Sequence, residues 1–93
     1  MSTITLKIVT PEGIDRTFAC DSVVLWMAPD SNGHGEGSVG IRKDHAEAVI
    51  AVGNGPMKAF LEGKMVFSAE TQGGFATVLE NIVTVVTPHI VFS

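Results

Sequence analysis

The sequence predicts an all-β fold, a flattened β-sandwich or barrel of about ten short, mostly antiparallel strands, and three observations lead there. Short runs rich in Val, Ile, Thr and Phe alternate between two faces with period two. Clusters of Gly, Pro, Asn and Asp punctuate those runs at regular intervals. No segment is convincingly helical. Residues 46–52 open with Ala-Glu-Ala, but the run is short, and Val49, Ile50 and Val52 favour a strand.

Taken in order, residues 3–9 place Ile4, Leu6 and Ile8 on one face and Thr3, Thr5, Lys7 and Val9 on the other, a half-buried strand. It stops at Thr10-Pro11-Glu12-Gly13, where Pro removes a ladder donor. Residues 14–20 alternate again, with Ile14, Arg16, Phe18 and Cys20 opposite Asp15, Thr17 and Ala19, and should pair antiparallel with the first run. Residues 21–27 are apolar on both faces, as expected inside a sandwich. Residues 28–38, dense in Gly, Asn, Ser, Asp and Pro, read as a surface loop. Residues 39–45 lead out of it into the 46–52 strand, and Gly53-Asn54-Gly55-Pro56 reads as a turn. Residues 57–61 and 65–69 flank Glu62-Gly63-Lys64 as a hairpin with a glycine at its tip. After Glu70-Thr71-Gln72, the stretch Gly73-Gly74-Phe75 through Val86 forms the hairpin around which the fold is organised. Its turn lies at Leu79 to Ile82, because Asn81 tolerates the left-handed conformation. Val83 and Val85 share one face of its second arm, Thr84 and Val86 the other, and residues 88–93 close the chain as a last extended piece.

Ninety-three residues suffice for one domain, spanning 1–93, with a single modest core. The one cysteine, Cys20, cannot form an internal disulfide and reads as a small buried hydrophobe. No basic segment followed by an apolar core marks a secretory signal, and no apolar run approaches the ~18 residues of a spanning helix. Net charge is -4 and the six Lys and Arg residues are scattered, which argues against nucleic acid as a partner. Charged residues make up 17% and apolar residues 45%, against roughly 25% charged in an ordinary soluble domain. Part of that apolar surplus should lie outside the core and meet a protein partner.

Chemistry has few candidates. Gly33, Gly35 and Gly37 are spaced by two, with no following Lys-Ser/Thr, so they do not form a phosphate loop. His34, His45 and His89 lie far apart and outside metal-ligand spacing, although three histidines converging on a cupin-like barrel remains an alternative to three unrelated loop residues. No carboxylate pair or nucleophile elbow stands out, and the run from Arg42 to His45 is the densest polar spot.

Leu6-Lys7-Ile8-Val9-Thr10-Pro11-Glu12-Gly13, Asp21-Ser22-Val23-Val24-Leu25, Val39-Gly40-Ile41 with His45-Ala46, Gly73-Gly74-Phe75 and Asn81-Ile82-Val83-Thr84-Val85-Val86 occur in a shared order. In that order they resemble the amino-terminal β-sandwich domain of the epsilon subunit of F-type ATP synthases over nearly the whole chain. The resemblance implies a non-catalytic central-stalk subunit of a proton- or sodium-translocating complex. Such a subunit couples c-ring rotation to the gamma subunit, and so to ATP synthesis. It implies gamma and the c-ring as partners and a peripheral position on the cytoplasmic face of the cell membrane. No catalytic residue, cofactor, metal, small-molecule substrate or membrane insertion is implied. The ring-facing end would hold Glu36, Ser38, Arg42 and His45, and the gamma side the neighbourhood of Gly73, Gly74 and Phe75. The sequence departs from the family in three places. The chain ends at Ser93 without the usual carboxy-terminal helical hairpin, so inhibition and ATP binding are not expected. The loop of residues 26–38 is longer than usual. The family's Pro-Gly-His-Ala-Pro turn appears as Lys43-Asp44-His45-Ala46-Glu47, and Ser38 stands where an acidic residue is common. Two other readings stay open: a diverged stand-alone β-sandwich that binds another protein, and a metal-dependent cupin-like enzyme using His34, His45 and His89.

Overall fold

The structure is a computed structural model that describes residues 3–13 and 15–93, with the side chain of Asp15 also left undescribed. The expected place of Ile14 at the start of the second strand, on the face of Arg16, Phe18 and Cys20, lies outside the described residues. Ten strands appear in chain order: β1 Ile4–Val9, β2 Asp15–Cys20, β3 Ser22–Met27, β4 Gly37–Arg42, β5 Ala48–Ala51, β6 Asn54–Leu61, β7 Lys64–Gln72, β8 Phe75–Leu79, β9 Ile82–Val86 and β10 Ile90–Phe92. They form two five-stranded sheets, ordered β2-β1-β9-β8-β5 and β10-β7-β6-β3-β4. All pairings are antiparallel except β1 with β9, which run parallel. The expected sandwich of about ten strands is therefore what the chain forms, and β2 pairs with β1 as its alternation implied.

The period-two pattern decides which side chains meet between the sheets. Ile4, Leu6 and Ile8 of β1 and Val83 and Val85 of β9 are fully buried from one sheet, and Val23, Leu25, Ile41, Met57 and Ala59 from the other. The outward residues of β3, namely Ser22, Val24 and Trp26, are half-buried. One flank is closed by an aromatic seam. Phe18 and Phe67 lie 4.9 Å apart, Phe67 and Phe92 5.8 Å, and the Arg16 guanidinium sits 4.3 Å over the Phe92 ring.

The chain crosses between sheets several times, and glycine serves the crossing from β7 to β8, at Gly73-Gly74. Gly73 N–H donates to Gly53 C=O, Val52 N–H to Gly74 C=O, and the buried Thr87 hydroxyl to Gly73 C=O at 2.8 Å. A Cβ on Gly74 would run into the Val86 carbonyl, so the doublet permits the close backbone approach that its sequence suggested. One expectation is corrected here. Asn54, Gly55 and Pro56 are not a turn; they begin β6 and pair with Gln72, Thr71 and Glu70 of β7. Pro is tolerated because the β3–β6 ladder reaches only Lys58, so Pro56 lies beyond it and its missing N–H removes no bond to β3. Gly55 is needed because the Trp26 side chain occupies the space of its Cβ. Because those residues pair with it, β7 runs on to Gln72 rather than ending near Ala69. The 46–52 run is a strand only over β5, with Val52 held by an isolated bridge to Met27.

Candidate partner-binding surfaces

The hairpin β8–β9 is closed by a two-residue turn in which Glu80 and Asn81 both adopt left-handed φ, 49° and 64°. That turn matches the twist of its flanking strands, and it brings Asn81 against the crossing after β4. The Asn81 side-chain oxygen accepts from Asp44 N–H at 2.7 Å, and Asn81 C=O accepts from Thr5 N–H. Asp44 is itself left-handed, with φ 62°. The next residue, His45, is half-buried, with its Nδ1–H donated to the Ala46 carbonyl at 2.8 Å. The Asn81 contact thus links the turn carrying His45 to the opposite sheet.

The four residues expected at one end divide into two pairs. Glu36 and Ser38 sit where β4 begins, beside Trp26 and Met27; Arg42 and His45 lie where it ends, beside Ser22. Five residue steps of about 3.3 Å separate the strand's two ends. At the first end, Trp26 Nε1–H donates to a Glu36 carboxylate oxygen at 3.0 Å. The loop between them is organised by Asp30, whose carboxylate accepts from Asn32 N–H and His34 N–H. At the second end, Arg42 borders an open groove of about 540 Å³ with Asp21, Ser22, Val24, Gly40 and Phe60. Gly73, Gly74 and Phe75 lie near the Glu36 end, since Gly53 bridges Gly73 to the Trp26 carbonyl. His34, His45 and His89 are not brought together, and no group of three metal-ligating side chains forms among the described residues. Burial, and then the charge of Asp21, push the Cys20 thiol above its ordinary value, which suits a core residue rather than a nucleophile.

The two outer faces of the sandwich differ. Outward residues of β1, β9, β8 and β5 form three rows, which the register continues onto β2 at Ala19, Thr17 and Asp15: Thr5, Ile82 and Leu79; Lys7, Thr84, Thr77 and Val49; and Val9, Val86, Phe75 and Ala51. Val49, Phe75, Leu79 and Ile82 are 76%, 47%, 51% and 43% exposed. Among the described side chains of these rows, Lys7 is the only charge. The other sheet turns out three charges, Lys58, Glu70 and Arg42, among Ser22, Ser38, Val24, Trp26 and the exposed Val91, and its strand β7 also carries the exposed Met65 and Val66. Sequence reasoning singled out Phe75 but not Lys7, Val49, Thr77, Leu79 or Ile82 as parts of one surface. The signal was present as strands apolar at both parities, but assembling a face needs the strand order, and β1 lies far in sequence from β9.

Residues 3–93 match the family described as ATP synthase, Delta/Epsilon chain, beta-sandwich domain. The chain belongs to this family. Among curated relatives, an ATP synthase epsilon chain of Synechococcus sp. (strain JA-2-3B'a(2-13)) is 36% identical over 86 residues, which cover 89% of this chain and 55% of that protein. The chain therefore spans about half the length of that relative. Among solved structures, one chain of the Euglena gracilis mitochondrial ATP synthase OSCP/F1/c-ring assembly superposes with a TM-score of 0.74 at 22% identity. The match covers 97% of this chain and 53% of that one. A chain of the Tetrahymena thermophila mitochondrial ATP synthase central stalk/c-ring gives 0.67 at 14% identity, covering 92% and 63%. At such identities these two likenesses establish the family's sandwich fold and nothing finer. No helix of the described residues is long and apolar enough to cross a membrane.

Proposed function

We propose that this chain is the β-sandwich of an epsilon-like central-stalk subunit in a rotary F-type ATP synthase. It does no chemistry of its own and couples c-ring rotation to the gamma subunit. Family membership and the epsilon-chain relative support the class of protein. The observation that supports the mode of action is the outer face of the β1-containing sheet, where Val49, Phe75, Leu79 and Ile82 stay exposed around Lys7. A sheet already packed on its inner side gains little from apolar residues facing water, whereas a partner that covers them removes that area from solvent. On this reading gamma packs on that face, starting at Gly73, Gly74 and Phe75. Glu36 and Ser38, with the loop held by Asp30 and Trp26, supply the ring-facing end. Arg42 and His45 then lie at the far end of β4. The domain sits peripherally on the cytoplasmic face of the membrane, in a proton- or sodium-translocating complex.

Co-expression with the gamma subunit of the same source, followed by size-exclusion chromatography, tests the proposal. The two chains are expected to co-elute one to one. Phe75→Glu, at a half-exposed site that leaves the fold intact, lowers the affinity by about a hundredfold, because it buries an unpaired charge in an apolar contact. Lys58→Glu, on the other sheet, leaves it unchanged. Separate elution of the wild-type chains at both low and physiological salt would overturn the stalk assignment and leave a diverged sandwich with another protein partner.

A further inference from the structure

The four edges of the two sheets are β2 and β5, and β10 and β4. An edge offers a row of unpaired N–H and C=O groups, and proteins blunt such rows with short strands, charges or a cover. Three of the edges have one of these devices. β5 has four residues and β10 three. β2 lies along the flank that the aromatic seam and Arg16 close. β4 has none. It is six residues long, contains Gly37 and Gly40, and carries no charge before its last residue, Arg42. Away from β3, the backbone bond it makes among the described residues is the turn bond from His45 N–H to Arg42 C=O.

We propose that this free edge pairs with the same strand of a second copy, extending the β4-edged sheet antiparallel across a two-fold axis. The charge pattern of the strand selects that occupant. Residues directly opposite in an antiparallel pair must point to the same face, so a two-fold that keeps both outer faces on one side sets even residues against even and odd against odd. Centring the axis on Val39 places Ser38 opposite Gly40 and Glu36 opposite Arg42, twice over. Shifting the centre to Gly40 would oppose Glu36 with Asp44, and shifting it to Ser38 would oppose Glu36 with Gly40, so one register brings the two charges together. Glu36 is already on the outer face, where its carboxylate meets the Trp26 indole, and Arg42 is exposed on the same face. Val39, half-buried against the core, meets its own copy on the inner side. The interface is isologous and small; it buries none of the face proposed for gamma, but it covers Glu36 and Ser38 of the end proposed for the ring, so pairing and ring contact exclude each other.

Sedimentation equilibrium of the 93-residue chain, over a concentration range reaching about 1 mM, tests this. A reversible monomer–dimer equilibrium is expected. Glu36→Arg and Arg42→Glu should each weaken it by about tenfold, since each turns two opposite-charge contacts into like-charge ones. The double variant Glu36→Arg with Arg42→Glu should restore the wild-type constant to within about threefold. Because the Trp26–Glu36 bond is lost in both Glu36→Arg proteins, recovery in the double variant reads the contact between copies and not that bond. A chain that stays monomeric throughout overturns the proposal. So does a dimer that ignores both single reversals, or one abolished instead by Phe75→Glu, which would place the second copy on the other sheet.

Discussion

Gly74 is the residue at which the fold tolerates least. Its φ of 109° lies in a region that residues with a side chain avoid, and a Cβ there would collide with the Val86 carbonyl and approach Thr87 Cα to 2.8 Å. Its neighbour Gly73 is also left-handed, at 75°, but a Cβ there meets nothing within 4 Å. Gly74→Ala should therefore cost about 3 kcal/mol or more, and Gly73→Ala only about 1 kcal/mol. Urea unfolding of the two variants measures the gap, and equal costs would mean that strain at φ, and not the contact with the β9 end, dominates. Cys20 gives a pH signature of its own. Its folded thiol is held above the ordinary 9.0 by burial and by Asp21. Well below pH 9.0 the thiol is protonated in both states and adds no slope. As pH approaches and passes 9.0 the unfolded chain ionises first and binds fewer protons than the folded one, so stability falls as pH rises toward the folded value. Cys20→Ala, although weaker at pH 7 for its lost sulfur, should lose less stability than wild type between pH 8 and about pH 10.

At the scale of elements, turns and strand edges explain both what was legible in the sequence and what was not. The β8–β9 hairpin was readable because its alternation runs through both arms and Asn81 marks the left-handed site. The β6–β7 hairpin was readable from Glu62-Gly63, which adopts φ of 54° and 78°. Gly53-Asn54-Gly55-Pro56 has the composition of a turn, yet three of its residues lie in β6. What decides this is tertiary: Trp26 fills the space above Gly55, and β3 no longer needs the N–H that Pro56 lacks. Nothing local in the sequence records either fact. The same limit applied to the four residues expected at one end. Glu36, Ser38, Arg42 and His45 are close in sequence, but an extended strand carries its ends apart, whereas a loop would have let them gather. The Glu62-Gly63 turn also shows where the chain is short of its best chemistry. Two left-handed positions suit Asn-Gly, and Glu62 bears the strain of a long side chain there. Glu62→Asn keeps the backbone N–H that donates to Asp21 and should raise stability by about 0.5 to 1 kcal/mol. Thermal unfolding would show the gain as a higher Tm, and a lower Tm would mean that the Glu62 side chain contributes something the backbone geometry does not reveal.

Over the whole molecule the two sheets share one core and differ on their outer faces, and that difference orients the domain in any assembly. The face with Lys58, Glu70 and Arg42 spreads three charges among its apolar residues, Val91 and Trp26 included. The face with Val49, Phe75, Leu79 and Ile82 is suited to a partner, and at its centre Lys7 is flanked by Thr17, on β2, and Thr84. A lysine covered by an apolar partner would lose its hydration, so the partner should bring a carboxylate to meet it. The consequence concerns rates before affinities. While the partners are apart, Lys7, the one charge among the described side chains of its rows, steers the encounter with that carboxylate, and salt screens the attraction over roughly 10 Å at 0.1 M. If the partner is gamma, as proposed, Lys7→Gln should therefore slow association with it several-fold at low ionic strength and leave it nearly unchanged at 1 M salt. Its effect on folding should be negligible, because Lys7 is exposed and its row is held by Thr17, Thr84, Thr77 and Val49. Stopped-flow association at several salt concentrations separates the cases. A wild-type rate independent of salt would mean that no carboxylate faces Lys7, and that the apolar residues around it alone determine how the domain docks.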